Sequence, residues 1–518
     1  MKQIRRILVA NRGEIAVRII RTARSMGIET VAAHSECDAG SLSVRLADGS
    51  ALLGPAPAAQ SYLRAEKIVA AALATGCQAV HPGYGFLSER EELARAVEEA
   101  GLVYIGPTPE NIRRLGDKLE ARRALSAAGI PVVPGRSEPI RDIESLRALA
   151  TKTGYPLLLK AASGGGGKGI RLVRAESELE SAFRVAASEA KGAFGEGAIF
   201  AERFLERARH VEVQVVGDGR GGVQVFPERD CSLQRRYQKL VEETPCPAVG
   251  HAVRGALLET AAQIAGLARY RGAGTIEFLL APGGSFHFLE MNTRLQVEHP
   301  ITEMVTGADL VREQIEVAAG KTYPGAKPLL REARGAAVEL RINAEDPEEN
   351  FRPSTGRITG LRLPGGPGVR VDSGLSIGIE VTPHYDALLA KVIAWGEDRA
   401  AAIERLRAAC LEMRIEGVAT TLALAAPLLA DPAFRSGDYH CQHLEALLAR
   451  PDFFARDLDA GDRAALAIVA AFLRSSGSRA ECLPASDKKK SAPRGSEGAG
   501  DSPWAALGRG MGLRGGER

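Results

Sequence analysis

The chain has 518 residues, 45% of them hydrophobic, and a formal net charge of +3; at about 100–200 residues per domain, that length supports two to four packed cores. Residues 475–518 carry eight Lys or Arg against five Asp or Glu, so residues 1–474 are neutral and show no basic footprint for nucleic acid. The seven cysteines are odd in number, widely spaced and without a C-x-x-C pair, which argues against a disulfide framework or a zinc site and for a reducing compartment.

Residues 4–10 (IRRILVA) predict a strand, 11–14 a turn, 15–26 a helix with apolar residues at 15, 16, 19, 20 and 23, and 30–33 a second strand. Helix 64–74, strand 79–80, helix 90–99 and strand 102–105 continue the alternation. Residues 1–115 are therefore expected to form a Rossmann-like doubly wound parallel sheet. They contain no G-x-G-x-x-G, which argues against dinucleotide binding.

A second unit, 116–330, opens with helix 119–128, strand 157–160, the run SGGGGKG (163–169), strand 170–173 and helix 176–190. Strands 211–216 and 275–280 follow, with charged loops between them. Residues 331–450 read as strands first (337–342, 357–363, 389–395) and helices later (398–411, 420–430). Beyond them a helical segment, whose apolar run 464–473 is too short to span a bilayer, leads into a Gly-, Ser- and Lys-rich tail. That tail cannot bury enough apolar surface to order itself. A soluble cytoplasmic protein with no membrane partner is expected.

The glycine run is not a phosphate-cradling Walker loop, because Ala162 stands where that motif needs Gly and Gly169 where it needs Ser or Thr. Its close flanking strands make it the tip of a β-hairpin. Backbone N–H groups at such a tip can approach an anion, with Lys168 adding charge; the alternative is a plain mobile hairpin. In TIEF (275–278) Glu277 alternates with apolar neighbours. In FLEMNTR (288–294) Glu290 and Asn292 share one strand face, with Leu289 and Met291 on the other. Two carboxylates and an amide suit Mg²⁺ bound together with nucleotide phosphates; solvated surface acids are the plainer reading. RLQVEHP (294–300) places Arg294, Gln296 and Glu298 at period two on one side of an extended chain, as an anion clamp with a base.

With the opening LVANRGEIAVR, the stretch ERDCSLQRR (228–236) and RINAEDP (341–347), these motifs resemble the biotin carboxylase family continuously over about residues 1–450. The resemblance implies an α/β and α+β multidomain protein: an N-terminal domain (1–115), an ATP-grasp domain (116–330) with a glycine-rich lid at about 132–204, a C-terminal biotin carboxylase domain (331–450), and the segment 451–518. It implies ATP contacts at Lys118, Lys160, Gly166, Gly167, Lys168, Glu202, Arg203, Phe204, Leu205, His210, Gln234 and Tyr237. The last stands where many relatives have His. Metal ligands (Mg²⁺ or Mn²⁺) carry over to Glu277, Glu290 and Asn292. The bicarbonate pocket carries over to Lys239, Arg294, Gln296 and Val297, the base to Glu298 and the biotin-facing residue to Arg341. No A-M-K-M acceptor motif occurs, so the expectation is a stand-alone, homodimeric subunit. It would carboxylate biotin on a separate biotin carboxyl carrier protein and work with a carboxyltransferase in an acyl-CoA carboxylase. Another ATP-grasp ligase, or an inactive scaffold subunit, would share fewer of these motifs.

Overall fold

In the computed structural model, which describes residues 3–135, 138–161, 171–194, 199–324 and 327–454, strand β1 (Arg6–Val9) sends Ile7 and Val9 into one hydrophobic core and Leu8 into another. Burial on both faces is what a parallel sheet under helices requires. With β2 (Glu29–Ser35), β3 (Gly49–Gly54), β4 (Ala79–His81) and β5 (Val103–Tyr104) it forms an all-parallel sheet in the order β3-β2-β1-β4-β5. Helix α1 (Gly13–Ser25) covers one face through Ile15, Ile19 and Ile20. Helices Ala65–Ala74 and Glu91–Glu99 cover the other through Ile68, Leu93 and Val97. The doubly wound expectation is met. Strand β3 is additional to it; its GSALLG is bounded by glycines and largely unburied, so it carries little strand signal in the sequence.

The three strands β6 (Leu157–Ala161), β7 (Arg171–Val173) and β8 (Ile199–Arg203) form an antiparallel sheet ordered β7-β6-β8. It is backed by helices Ile143–Thr153 and Glu176–Phe194. Strands β6 and β7 are the hairpin arms inferred from sequence. The tip holding Gly166, Gly167 and Lys168 lies outside the described residues, as does the segment beyond 454.

The site is built on a larger sheet, which begins with β9 (Arg209–Asp218), β10 (Val223–Arg235), β11 (Gln238–Thr244), β12 (Arg271–Leu280), β13 (Phe286–Asn292), β14 (Leu329–Leu330) and β15 (Ala336–Asn343). The order is β13-β12-β9-β10-β11-β15, continued by strands Leu388–Gly396 and Val369–Ser373, with β14 pairing β10. Charged loops were expected between the early strands. Instead Glu228, Arg229 and Asp230 lie inside β10, fully buried. Each has a partner: Glu228 lies 2.8 Å from Arg254, Arg229 2.6 Å from Glu212, and Asp230 2.9 Å from Arg209. Buried charge is tolerable only when compensated in this way.

Toward the C-terminal side, helix Arg399–Glu412 packs Ile403 and Leu406 against Val338, Leu340 and Val392, with Leu428 and Phe434 closing the core. The single strand expected at 357–363 divides into Gly356–Arg357 and Gly360–Arg362, which pair with different partners. Among the described residues no helix is long and apolar enough to cross a membrane. Leu406 has no exposed surface, so Leu406→Ala should destabilise the protein by about 2–5 kcal/mol. Denaturant unfolding would show it; a loss under about 1 kcal/mol would mean that this core is not packed as described.

Candidate active site

A cavity of about 900 Å³ opens where the loops of the first sheet, the hairpin sheet and the large sheet meet. Its floor is the antiparallel pair β12–β13, in which Glu277 stands directly opposite Glu290. The register then shifts, Phe278 pairing with Phe288, so Leu289 is an extra residue in β13. That bulge corrects the strict alternation expected from the sequence. Leu289 joins Glu290 and Asn292 on the cavity wall, and Met291 reaches both that wall and the core behind it.

Above the floor the ammonium of Lys239 lies 2.6 Å from Glu212, 2.9 Å from Glu277 and 2.7 Å from Glu298. Burial alone would lower the Lys239 pKa, but the three carboxylates hold it well above the usual lysine range. Burial would likewise raise Glu298. Lys239 and Arg341 outweigh it and hold Glu298 well below the usual carboxylate range. Two sets of acidic and metal-ligating groups converge here within 4.8 Å, His210–Glu212–Glu277 and Glu212–Cys231–Glu298. Both surround the Lys239 ammonium, so their convergence is already accounted for by that cation.

Glu298 has no exposed surface and lies behind the cavity wall, paired through Oε1 with Lys239 and through Oε2 with Arg341 at 2.9 Å. Arg341 also reaches Glu242 at 2.5 Å. Period two holds only from Arg294 to Gln296; the chain then turns at Val297 and Glu298 into helix His299–Thr306. Four groups orient the Arg294 guanidinium: Glu89 at 3.1 Å, Gln296 Oε1 at 3.0 Å, Asn292 Oδ1 at 3.1 Å and the Leu295 carbonyl at 3.3 Å.

Lys118 contacts Glu290 at 2.6 Å, and Lys160 pairs with Glu202, which Arg122 also approaches at 3.3 Å. Gln234 Nε2 donates to His210 Nδ1 at 2.7 Å, which leaves the proton on Nε2, 2.9 Å from Glu277. Phe204 and Leu205 line the same wall. Arg203 lines it too, but its guanidinium donates to the Thr153 carbonyl at 2.6 Å. Tyr237 is 53% exposed and stands at φ +66° in the turn between β10 and β11, at the cavity edge.

All the residues singled out from the sequence that fall in the described part thus gather at one cavity, with Glu298 directly behind it. Four acids and bases were missed: Glu212, Glu89 and Glu242, which neutralise Lys239, Arg294 and Arg341, and Arg229, fully buried against Glu212. An isolated Glu in a strand carries no sequence mark of its partner. A signal did exist for Glu212, a charged residue alternating with valines in HVEVQVV (210–216).

A hairpin sheet over a large antiparallel sheet, with lysines and an oxygen-rich floor around one cavity, defines an ATP-grasp type of ligase. Three family models match the chain: "Biotin carboxylase, N-terminal domain" over residues 3–112, "Carbamoyl-phosphate synthase L chain, ATP binding domain" over 117–325 and "Biotin carboxylase C-terminal domain" over 339–446. The biotin carboxylase of Nostoc sp. is 47% identical over 84% of this chain and 97% of its own length, and that of Pseudomonas aeruginosa 47% identical over 86% and 99%. The biotin carboxylase domain dimer of Hydrogenobacter thermophilus 2-oxoglutarate carboxylase, solved with MgADP, ADP and bicarbonate, superposes with a TM-score of 0.83 at 42% identity. That match covers 88% of this chain and all of that one. The chain belongs to the biotin carboxylase family of ATP-dependent ligases.

Burial, opposed by Arg341 and reinforced by Glu298, pushes Glu242 up to about 7. A carboxyl raised above its unfolded value near 4.5 favours the folded state while protonated and loses that advantage as pH rises from about 4.5 to 7. Glu242→Gln should therefore gain melting temperature relative to the parent protein between pH 5 and pH 8. Parallel melting curves for the two proteins over that range would contradict the assignment.

Proposed function

We propose that this cavity binds ATP, Mg²⁺ (or Mn²⁺), bicarbonate and biotin and makes carboxybiotin through carboxyphosphate. The observation that carries the reading is the shared wiring of Glu298, whose two oxygens join the Lys239 cluster to Arg341. This wiring supports reading Glu298 as a base between the group assigned to bicarbonate and the group assigned to biotin.

The donor set assigned to the metal fits a hard divalent cation. Glu277 and Glu290 are cross-strand partners facing the cavity with Asn292 beside them, and all three offer oxygen. When bound, the metal would neutralise developing phosphate charge. Lys118 and Lys160 would lie along the nucleotide phosphates and Lys239 at the reacting oxygen. Glu202–Leu205, His210, Gln234 and Tyr237 would hold the nucleotide, with the hairpin tip Gly166–Lys168 closing over it to exclude water.

A bicarbonate held by Arg294, Gln296 and the Val297 turn would give its proton to Glu298. One of its oxygens then attacks the γ-phosphorus, ADP leaves, and carboxyphosphate forms. Both Glu298 oxygens are already paired, so accepting the proton requires Lys239 or Arg341 to swing toward substrate. Carboxyphosphate would split into CO₂ and phosphate, and the phosphate would take the ureido proton of biotin. Arg341 would stabilise the resulting enolate-like oxygen, and the ureido nitrogen would bond the CO₂ to give carboxybiotin. Tyr237 in place of His keeps a polar aromatic group at the nucleotide edge but offers no imidazole.

The biotin is taken to ride on a separate biotin carboxyl carrier protein, a reading supported by the match to biotin carboxylases over 97% and 99% of their own lengths. A homodimer working with a carboxyltransferase in an acyl-CoA carboxylase completes the reading, and the acyl-CoA part rests on the sequence resemblance alone. Glu290→Gln should lower ATP cleavage at saturating bicarbonate by at least about a hundredfold; near-normal turnover would remove the metal assignment. Arg341→Ala should keep bicarbonate-dependent ADP release but lose carboxybiotin by about a hundredfold to a thousandfold. Following both products in one reaction tests this, and equal losses would move Arg341 out of the biotin role.

A further inference from the structure

Behind the turn that carries Val297 and Glu298 lies Lys391, a lysine of strand Leu388–Gly396 with no exposed surface. Its ammonium donates to the Val297 carbonyl at 2.7 Å, lies 3.1 Å from Glu14 Oε1 and stands 3.8 Å from Asp372. Glu14, the second residue of α1, is itself buried, and neither of its carboxylate oxygens makes a hydrogen bond of good geometry. Asp372 is already held by Arg370 through two bonds of 2.9 and 2.8 Å. Lys391 is thus the cation that Glu14 faces at close range.

The preceding carbonyl, of Gln296, lies 2.7 Å from His299 Nδ1. Burial, together with the nearby Lys391 and Arg18 charges, holds His299 well below the usual imidazole range. The ring is therefore neutral, and the nitrogen facing a carbonyl carries its proton. Two successive carbonyls of the turn are pinned from behind by buried side chains. In a trans peptide the C=O of one residue and the N–H of the next point in opposite directions. Pinning these carbonyls therefore directs the Val297 N–H away from His299 and the Glu298 N–H away from Lys391.

The contact also joins distant parts of the chain. A Cβ on Gly374 would come within 2.7 Å of the Gly13 carbonyl carbon and 2.9 Å of the Glu14 nitrogen, so the chain leaving strand Val369–Ser373 is seated on the start of α1. Replacing a buried ion pair by apolar groups of similar volume is often neutral or stabilising. Stability alone is therefore a weak reason for this one.

We propose that Lys391, held by Glu14, is a positioning residue for the anion pocket. It fixes the Val297–Glu298 turn, so that bicarbonate affinity depends on contact between the start of α1 and strand Leu388–Gly396. The inference rests on the proposed function, because it assigns the turn to bicarbonate.

The test measures ATP cleavage against bicarbonate and against ATP, with melting temperature alongside, for the parent protein, Lys391→Met and the double variant Glu14→Gln/Lys391→Met. The double variant removes both charges of this pair and nearly conserves volume. Lys391→Met should raise the KM for bicarbonate about tenfold, as expected for loss of one charge-assisted hydrogen bond, with the KM for ATP unchanged within about twofold. The double variant should regain the parental melting temperature but not the parental bicarbonate KM. Recovery of both, equal rises in both KM values, or a double variant that stays unstable would each overturn the inference by making the pair purely structural. A parent protein without bicarbonate-dependent ATP cleavage would overturn the proposed function, and this inference with it. An active parent with unaltered variants overturns the inference alone.

Discussion

The site depends on one buried ammonium. Lys239 of β11 is met by Glu212 of β9, Glu277 of β12 and Glu298 from the turn before helix His299–Thr306. Three carboxylates in a dry interior repel one another and resist desolvation; a single lysine cannot neutralise them all. The surroundings supply more positive charge through Arg229 on Glu212 and Arg341 on Glu298, and the neutral His210 ring turns its Nε2 toward Glu277 at 2.9 Å. Each strand of this part of the sheet is thereby held in register by charge as well as by its backbone ladder. Moving any one cation toward a substrate leaves a carboxylate to be satisfied by something else. Such an arrangement is poised to take up an anion and a metal ion together, because each relieves a charge that the other exposes.

The sheet supplies rigidity and the neighbouring layers supply the walls. Arg294 is oriented partly by Glu89, which follows β4, and the Val297 turn is pinned by Lys391, which is itself paired with Glu14 of α1. First sheet, central sheet and C-terminal strands thus each own part of the pocket proposed for bicarbonate. A pocket built this way is preorganised only when all three layers are seated.

Much of this was legible because strands alternate. Glu277 and Glu290 announce themselves by flanking apolar neighbours, and the structure does set them opposite each other. The bulge at Leu289 was not legible, since nothing in FLEMN differs locally from a regular strand. The acids that neutralise the site were missed for a related reason: Glu89 and Arg294, or Glu242 and Arg341, meet only through tertiary folding. The β-α-β opening was plain from the change of hydrophobic period, whereas β10 was obscured by ERD, whose burial depends on Arg254, Glu212 and Arg209 elsewhere in the chain.

In the proposed reaction a bicarbonate oxygen attacks the γ-phosphorus of ATP in this cavity. Turnover with oxygen-18 bicarbonate, ATP and biotin tests it directly, with the phosphate product read by mass spectrometry. With that attack, each phosphate formed carries one bicarbonate-derived oxygen. Phosphate without label, formed at the same rate as carboxybiotin, would contradict it.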